Sequence, residues 1–430
     1  FSAYIQRSNK RVYDQYKSFL SALPEKIDRS VLLDQVGQSK NAEFERLALD
    51  YLPLFFSRRH GDPSRPWNRF SIETATESGA KKLYYEGNWR DIFQNWEALL
   101  HSYPAFIPHV LAKFVNASTI DGYNPYRIGS YGIDWEKTEP DDPWSFIGYW
   151  GDHQIIYLLK LLEQARNFEP ETLYQLLAKP VFAYANVPYR IRTYDEILEN
   201  PKETIDYDLL LEKEIANRVK EWGSDGKLVM TSGGNILQVN FIEKLLLTLL
   251  TKLSNFVPDG GIWLNTQRPE WNDANNALVG NGLSMVTLSY MYRYVVFLRD
   301  LLEKSHDQSF ELTTALFEFF RAVYQTLEKN KAELEAGFSV VSRKSFTDSM
   351  GHHGEQYRQK VYQLPEVITR SSQDKKSIID FCVLCEHYFE QSIINNRRTD
   401  GLFHAYNLLS RKNFGFSVDH LYEMLEGQVA

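Results

Sequence analysis

Apolar residues recur at helical spacing through most of the chain. Ile155, Leu158, Leu159 and Leu162 are one instance. Steps of three and four residues stack side chains on one face of a 3.6-residue turn. The same pattern predicts helices near 10–22, 41–51, 90–101, 105–116, 152–166, 170–178, 207–221, 236–255, 280–303, 307–335, 375–393 and 417–426. Strand-like stretches are rare and short, at 227–231 and 338–341. Loops rich in Gly, Pro, Asn and Trp, in varying proportion, fall at Asp121–Ser145, Asp259–Gly280, Ser345–Glu355 and Asn395–Asn407. Long loops in a compact domain tend to carry function. With no repeat and no low-complexity linker, the expectation is one all-α domain over residues 1–430. The chain opens on Phe1 and ends in Glu-Gly-Gln-Val-Ala without a helix stop, which reads as a piece of a longer polypeptide.

Composition narrows the function. The 48 basic and 56 acidic residues leave a net charge of -8, which argues against a general nucleic-acid binder. Aromatic residues reach 14%, with 26 Tyr and 9 Trp. Those two types have a flat apolar face and a polar tip, which suits stacking on sugar rings. No apolar run is long enough to span a membrane and no signal peptide is visible. The two cysteines, Cys382 and Cys385, share one face of a helix. A single CxxC without a second pair or nearby His is a poor zinc site, so they read as buried structural thiols. No disulfide framework exists, and a cytoplasmic location is the expectation.

Five polar and aromatic motifs stand out. Asn88-Trp89-Arg90-Asp91-Ile92-Phe93-Gln94-Asn95-Trp96 opens a helix. A first-turn acid complements the helix dipole, which accounts for Asp91 alone. Arg90 and Asp91 together offer donor and acceptor to vicinal hydroxyls, with Gln94 and Trp beside them. Tyr149-Trp150-Gly151-Asp152-His153-Gln154 opens another helix, where Asp152 is also a natural cap. Arg268-Pro269-Glu270-Trp271-Asn272-Asp273-Ala274-Asn275-Asn276 puts two carboxylates around a Trp. That places a proton donor beside a stacking face, as glycosidic cleavage requires; the plainer reading is a polar turn or cation site. Met350-Gly351-His352-His353-Gly354-Glu355-Gln356-Tyr357-Arg358 holds two adjacent His that cannot face one metal from a helix. Oxyanion or hydroxyl binding by His352, His353 or Arg358 fits it better, against a solvated polar loop. Arg397–Asn407 reads as a further substrate contact or a plain helix-to-loop corner. Asn116-Ala117-Ser118 matches a glycosylation sequon by chance spacing. Phosphate loops, dinucleotide fingerprints and the common hydrolase and zinc-protease motifs are absent.

Three of these motifs, in order, resemble glycoside hydrolase family 94, which holds cellobiose and chitobiose phosphorylases and the phosphorylase domain of cyclic β-1,2-glucan synthases. Arg90-Asp91-Ile92-Phe93-Gln94-Asn95 is similar to its Arg-Asp-x-x-Gln-Asp. Gly151-Asp152-His153 matches an Asp-Asp-His stretch, and Glu270-Trp271-Asn272-Asp273 matches Asp-Trp-Asn-Asp. The likeness covers roughly 85–285, with Asn95, Gly151 and Glu270 standing where the family has Asp.

The resemblance implies an (α/α)6 toroid, twelve helices in two rings with the active site at one end. It gives Asp273 the part of general acid and Arg90 and Asp91 the sugar on the non-reducing side, with Trp271 lining the same subsite. Gln94, Asp152, His153 and Glu270 join the substrate-binding set. Glu355 is the candidate base if water attacks. His352, His353 and Arg358 are the candidates to hold phosphate if phosphate attacks. The expected function is an inverting enzyme on oligo- or polyglucosides, by hydrolysis or phosphorolysis. It needs no cofactor and no metal; inorganic phosphate is a candidate co-substrate. A glucoamylase- or trehalase-like hydrolase and a non-catalytic carbohydrate-binding toroid are the alternatives.

Overall fold

The computed structural model describes residues 1–53, 75–80, 84–141, 145, 147–149, 151–267, 277–412 and 414–421; the side chains of 90, 91, 151–153 and 412 lie outside that description. Helix Phe241–Leu253 runs through the middle of the core, with all 13 of its residues buried. Asn240 caps it, its side chain accepting from the Glu243 amide at 3.0 Å, which satisfies an otherwise orphaned donor. Helices Gly151–Phe168, Pro170–Leu177, Thr314–Lys329 and Val340–Val361 pack around it. Met285–Lys304 lies along Lys375–Asn395 and also against Gly151–Phe168. The helical periodicity is realised as packing: Ile155, Leu158, Leu159 and Leu162 are all buried. Each such side chain contributes roughly 1.5–3 kcal/mol on leaving water.

The all-α toroid expected from the sequence is overturned. Helix accounts for 55% and strand for 15% of the described residues, with several antiparallel sheets, so the fold is mixed. The largest sheet has five strands, in the order Gly415–His420, Tyr406–Lys412, Gly282–Ser284, Gly261–Trp263, Phe256–Val257. A second has Glu86–Asn88, Arg127–Gly129 and Gly132–Asp134. Three two-stranded ribbons complete the described set, among them Ser309–Thr313 with Arg370–Asp374.

Four local expectations also change. Of the stretch 417–426, expected as a helix, 417–420 belong to the strand Gly415–His420 paired with Tyr406–Lys412, and 422–426 lie outside the described residues. The stretch 338–341 is not a strand: Ser339 caps, and Val340 begins, the 22-residue helix Val340–Val361. That helix absorbs Ser345–Glu355, expected as a loop. The single helix expected over 307–335 is a strand, Ser309–Thr313, followed by helices Thr314–Lys329 and Lys331–Ala336.

The first 53 residues form five short helices with an apolar cluster of their own, including Ile5, Val12, Leu20, Val36, Phe44 and Leu47. They meet the rest of the protein through Leu49 and Leu52, which join the main core, and through charge. Arg46 pairs with Asp225, and Lys113 with Asp50 at 3.0 Å. Cys382 and Cys385 are free and buried, as their helical spacing suggests. Asn116 is buried and accepts from the Ala183 amide at 2.9 Å, which leaves no place for a glycan. Among the described residues no helix is long and apolar enough to cross a membrane.

Candidate functional site

The segment Asp121–Tyr126 links the places where three of the motifs begin. Tyr126 receives, at its carbonyl, the Trp89 amide at 2.9 Å; Trp89 is the first residue of helix Trp89–Leu100, which carries Arg90, Asp91 and Gln94. Tyr123 stacks on Tyr149 at 5.0 Å and 12°. Tyr149 lies two residues before helix Gly151–Phe168, which carries Asp152 and His153. Its amide donates to the Thr266 carbonyl at 3.4 Å. Thr266 in turn leads into the stretch holding Glu270, Trp271 and Asp273.

Asp121 anchors this junction. Its carboxylate is buried and accepts hydroxyl hydrogen bonds from Thr119, from Tyr149 at 3.1 Å and from Tyr362 at 2.9 Å. Burial raises its pKa, against the lowering effect of those hydroxyls and of Arg190. Gln267 fixes the other side. It has φ 62°, and its Oε1 accepts from the Thr204 and Ile205 amides at 3.1 and 2.9 Å. A non-glycine residue in that region is uncommon and needs such support.

Of the residues expected at the site, Glu270, Trp271 and Asp273 lie outside the described residues, as do the side chains of Arg90, Asp91, Asp152 and His153. Gln94 is exposed on its helix. Glu355 sits on Val340–Val361, where it accepts from the Tyr194 amide at 3.0 Å and from Gln359 at 2.8 Å. Its carboxylate thus serves the first turn of helix Tyr194–Glu199.

Along the same helix His352, His353 and Arg358 reach different neighbours. His352 meets the Tyr194 ring at 4.8 Å, while its Nδ1 lies 2.8 Å from the Asp348 carbonyl. His353 Nε2 lies 2.9 Å from the Thr326 hydroxyl; burial, then His352, lowers its pKa. Arg358 is buried and donates to the Arg192 carbonyl at 3.4 Å. It lines a small polar cavity with Tyr123, Asn255, Asn265, Thr266 and Gly351, beside the Asp121 junction. The fifth motif makes a corner: Arg397 bridges to Phe403, and Arg398 pairs with Asp400 at 2.9 Å.

The junction residues Asp121, Tyr149, Tyr362 and Gln267 were not singled out by sequence reasoning. Tyr149 lay inside a named motif, and Asp121 at the edge of a named loop, but neither signal distinguishes a buried acceptor from a solvated one. Among the described residues, no group of three or more His, Cys, Asp or Glu is arranged to hold a metal ion.

Residues 1–53 match the family model described as Glycoside hydrolase family 149 insertion domain 1. No curated protein matches the chain. At the coarse level the chain is glycoside hydrolase-like, and the match gives no support to family 94 in particular.

Proposed function

We propose that this chain belongs to an inverting carbohydrate-active enzyme that cleaves the glycosidic bonds of oligo- or polyglucosides, with Asp273 as general acid. The observation that carries the reading is the convergence at Asp121–Tyr126 of the stretches leading into Arg90–Asp91, Asp152–His153 and Asp273. These stretches lie far apart in sequence, and the meeting of their described ends at one junction supports a shared site for the motifs that follow them. The glycoside hydrolase-like N-terminal 53 residues point the same way.

In the proposed reaction the Asp273 carboxyl gives its proton to the departing glycosidic oxygen. Arg90 and Asp91 hold hydroxyls of the sugar on the non-reducing side, and Trp271 supplies its stacking face. Gln94, Asp152, His153 and Glu270 complete the substrate contacts. The attacking group is water or inorganic phosphate. Water needs a carboxylate base roughly 6.5–9.5 Å from the acid. Glu355 is the candidate, and it has to exchange its bond to the Tyr194 amide for one to water. Phosphate needs no base.

The test is turnover of a panel of oligoglucosides with and without phosphate, for wild type and Asp273→Asn. Loss of a general acid costs about 10²–10⁴-fold in rate, with sugar binding kept. Sugar phosphate as product identifies phosphorolysis; free sugar without phosphate identifies hydrolysis. A mutant within a few-fold of wild type removes Asp273 from the mechanism.

A further inference from the structure

We propose that Asp121 is a positioning residue for glycosidic cleavage, holding the chain before Asp152–His153 and the chain before Asp273 in one arrangement through Tyr149. This inference rests on the functional reading above, and its test separates the two.

The argument starts from hydrogen-bond supply. Asp121 is 3% exposed and receives three hydroxyl donors, Thr119, Tyr149 and Tyr362. Among the described residues, the hydrogen bonds to its carboxylate come from hydroxyls. Arg190, whose charge acts on this carboxylate, has its guanidinium over the Tyr362 ring at 4.5 Å. A buried carboxylate held by hydroxyls is costly to keep, because burial disfavours its charge. In return it fixes two tyrosines that come from distant parts of the chain.

Tyr149 is the link that matters. Its ring is held between Tyr123, stacked at 5.0 Å, and Tyr189, edge-on at 5.2 Å. Its hydroxyl is on Asp121, and its own amide is on Thr266. One residue therefore fixes the approach to helix Gly151–Phe168 and the approach to the proposed acid. Thr266 is followed by Gln267, already pinned to Thr204 and Ile205. Both stretches are thus held on the described side of the motifs. Misplacement of reacting groups by about 1 Å can cost roughly 100-fold in rate.

Asp121→Asn keeps the size but replaces one acceptor oxygen with a donor; both tyrosine hydroxyls share Oδ2 while Thr119 takes Oδ1, so the amide displaces either both tyrosines or Thr119. Tyr149→Phe removes only the hydroxyl and is the milder variant if Asp121→Asn folds poorly. Glu243→Gln, a buried carboxylate elsewhere in the core, controls for general loosening. The readouts are kcat and KM on oligoglucosides, and amide hydrogen exchange of peptides covering 147–157 and 258–267.

The expected result is a kcat lowered roughly 10–100-fold with KM within about threefold. Exchange should accelerate in both peptides together in Asp121→Asn and Tyr149→Phe, but not in Glu243→Gln. Unchanged exchange in both peptides overturns the proposal. So does acceleration over the whole chain that Glu243→Gln reproduces. A wild type inactive on every glucoside, with and without phosphate, overturns the functional reading and the catalytic half of this one. Exchange then decides the tethering by itself.

Discussion

Arg46 and Asp225 stand 179 positions apart and form an ion pair whose side chains are only 3% and 7% exposed. Asn9 donates to the same carboxylate at 2.8 Å. Nearby, Asp50 accepts from Tyr4 at 2.6 Å, Lys113 at 3.0 Å and Asn116 at 3.3 Å. Two charge pairs thus help fasten the N-terminal helices to the body, beside Leu49 and Leu52 in the main core. Such pairs specify one docking geometry, because a displaced partner leaves a charge without water or counter-charge.

Arg46→Met tests this fastening. It strands the Asp225 carboxylate and should cost about 3–5 kcal/mol in urea unfolding. Arg46→Met combined with Asp225→Leu removes both charges and should recover most of that loss. A single mutant within about 1 kcal/mol of wild type would show that the pair contributes little.

Two buried carboxylates should give opposite pH dependences. Burial raises the pKa of Glu243 above its ordinary 4.5, although Thr313 and Tyr184 hydrogen-bond the charged form. The folded state binds that proton more tightly than the unfolded chain does. Its contribution is therefore full below 4.5 and is lost as pH rises through the folded value. For Asp50 burial also pushes upward, but Lys113, Tyr4 and Arg46 outweigh it and leave the pKa below 3.8. That contribution is present above 3.8 and is lost as pH falls through the folded value. Glu243→Gln should flatten the loss of stability on the rising side, and Asp50→Asn the loss on the acid side. Denaturation midpoints across the acidic range read both; slopes unchanged from wild type would refute the assignments.

Gln267 offers a test of the loop it precedes. Gln267→Ala leaves the Thr204 and Ile205 amides without their acceptor, and should cost about 1–3 kcal/mol. Gln267→Gly loses the same bonds but relaxes the left-handed backbone, so its loss should be smaller by roughly 1 kcal/mol. Thermal unfolding compares them. Equal losses would mean that the φ of 62° stores no strain.

The cysteines should be inert in the folded protein. Burial raises the pKa of Cys382 and of Cys385, and the thiolate is the reactive form. Alkylation at neutral pH should run at least ~100-fold slower than in urea. Cys382→Ser should leave turnover unchanged. Rapid labelling of the native protein would place these thiols at the surface instead.

Periodicity by itself determined most of the helices, because a helix is a local structure whose apolar face repeats within one turn. Gly151–Phe168 and Lys375–Asn395 fall close to their expected spans for that reason. It also determined the fate of Cys382 and Cys385, which share a face with Ile378 and Phe389. Strands of two or three residues are too short to show an alternating pattern, and some have distant partners. Gly282–Ser284 is three residues long and pairs with residues beyond position 400, a contact no local pattern encodes. Gly351 and Gly354 read as loop residues, yet they lie inside Val340–Val361. There an added Cβ would fall 2.1 Å from the Tyr194 ring and 2.9 Å from Ser254. Those glycines serve close packing against another element, and only the tertiary structure supplies that element. The same holds at the candidate site. The Trp- and Asp-rich motifs were visible as composition, since sugar chemistry needs those side chains. Asp121, Tyr149 and Tyr362 became visible only when folding brought them to one buried carboxylate, because a hydrogen bond across 241 positions depends on distance in space alone.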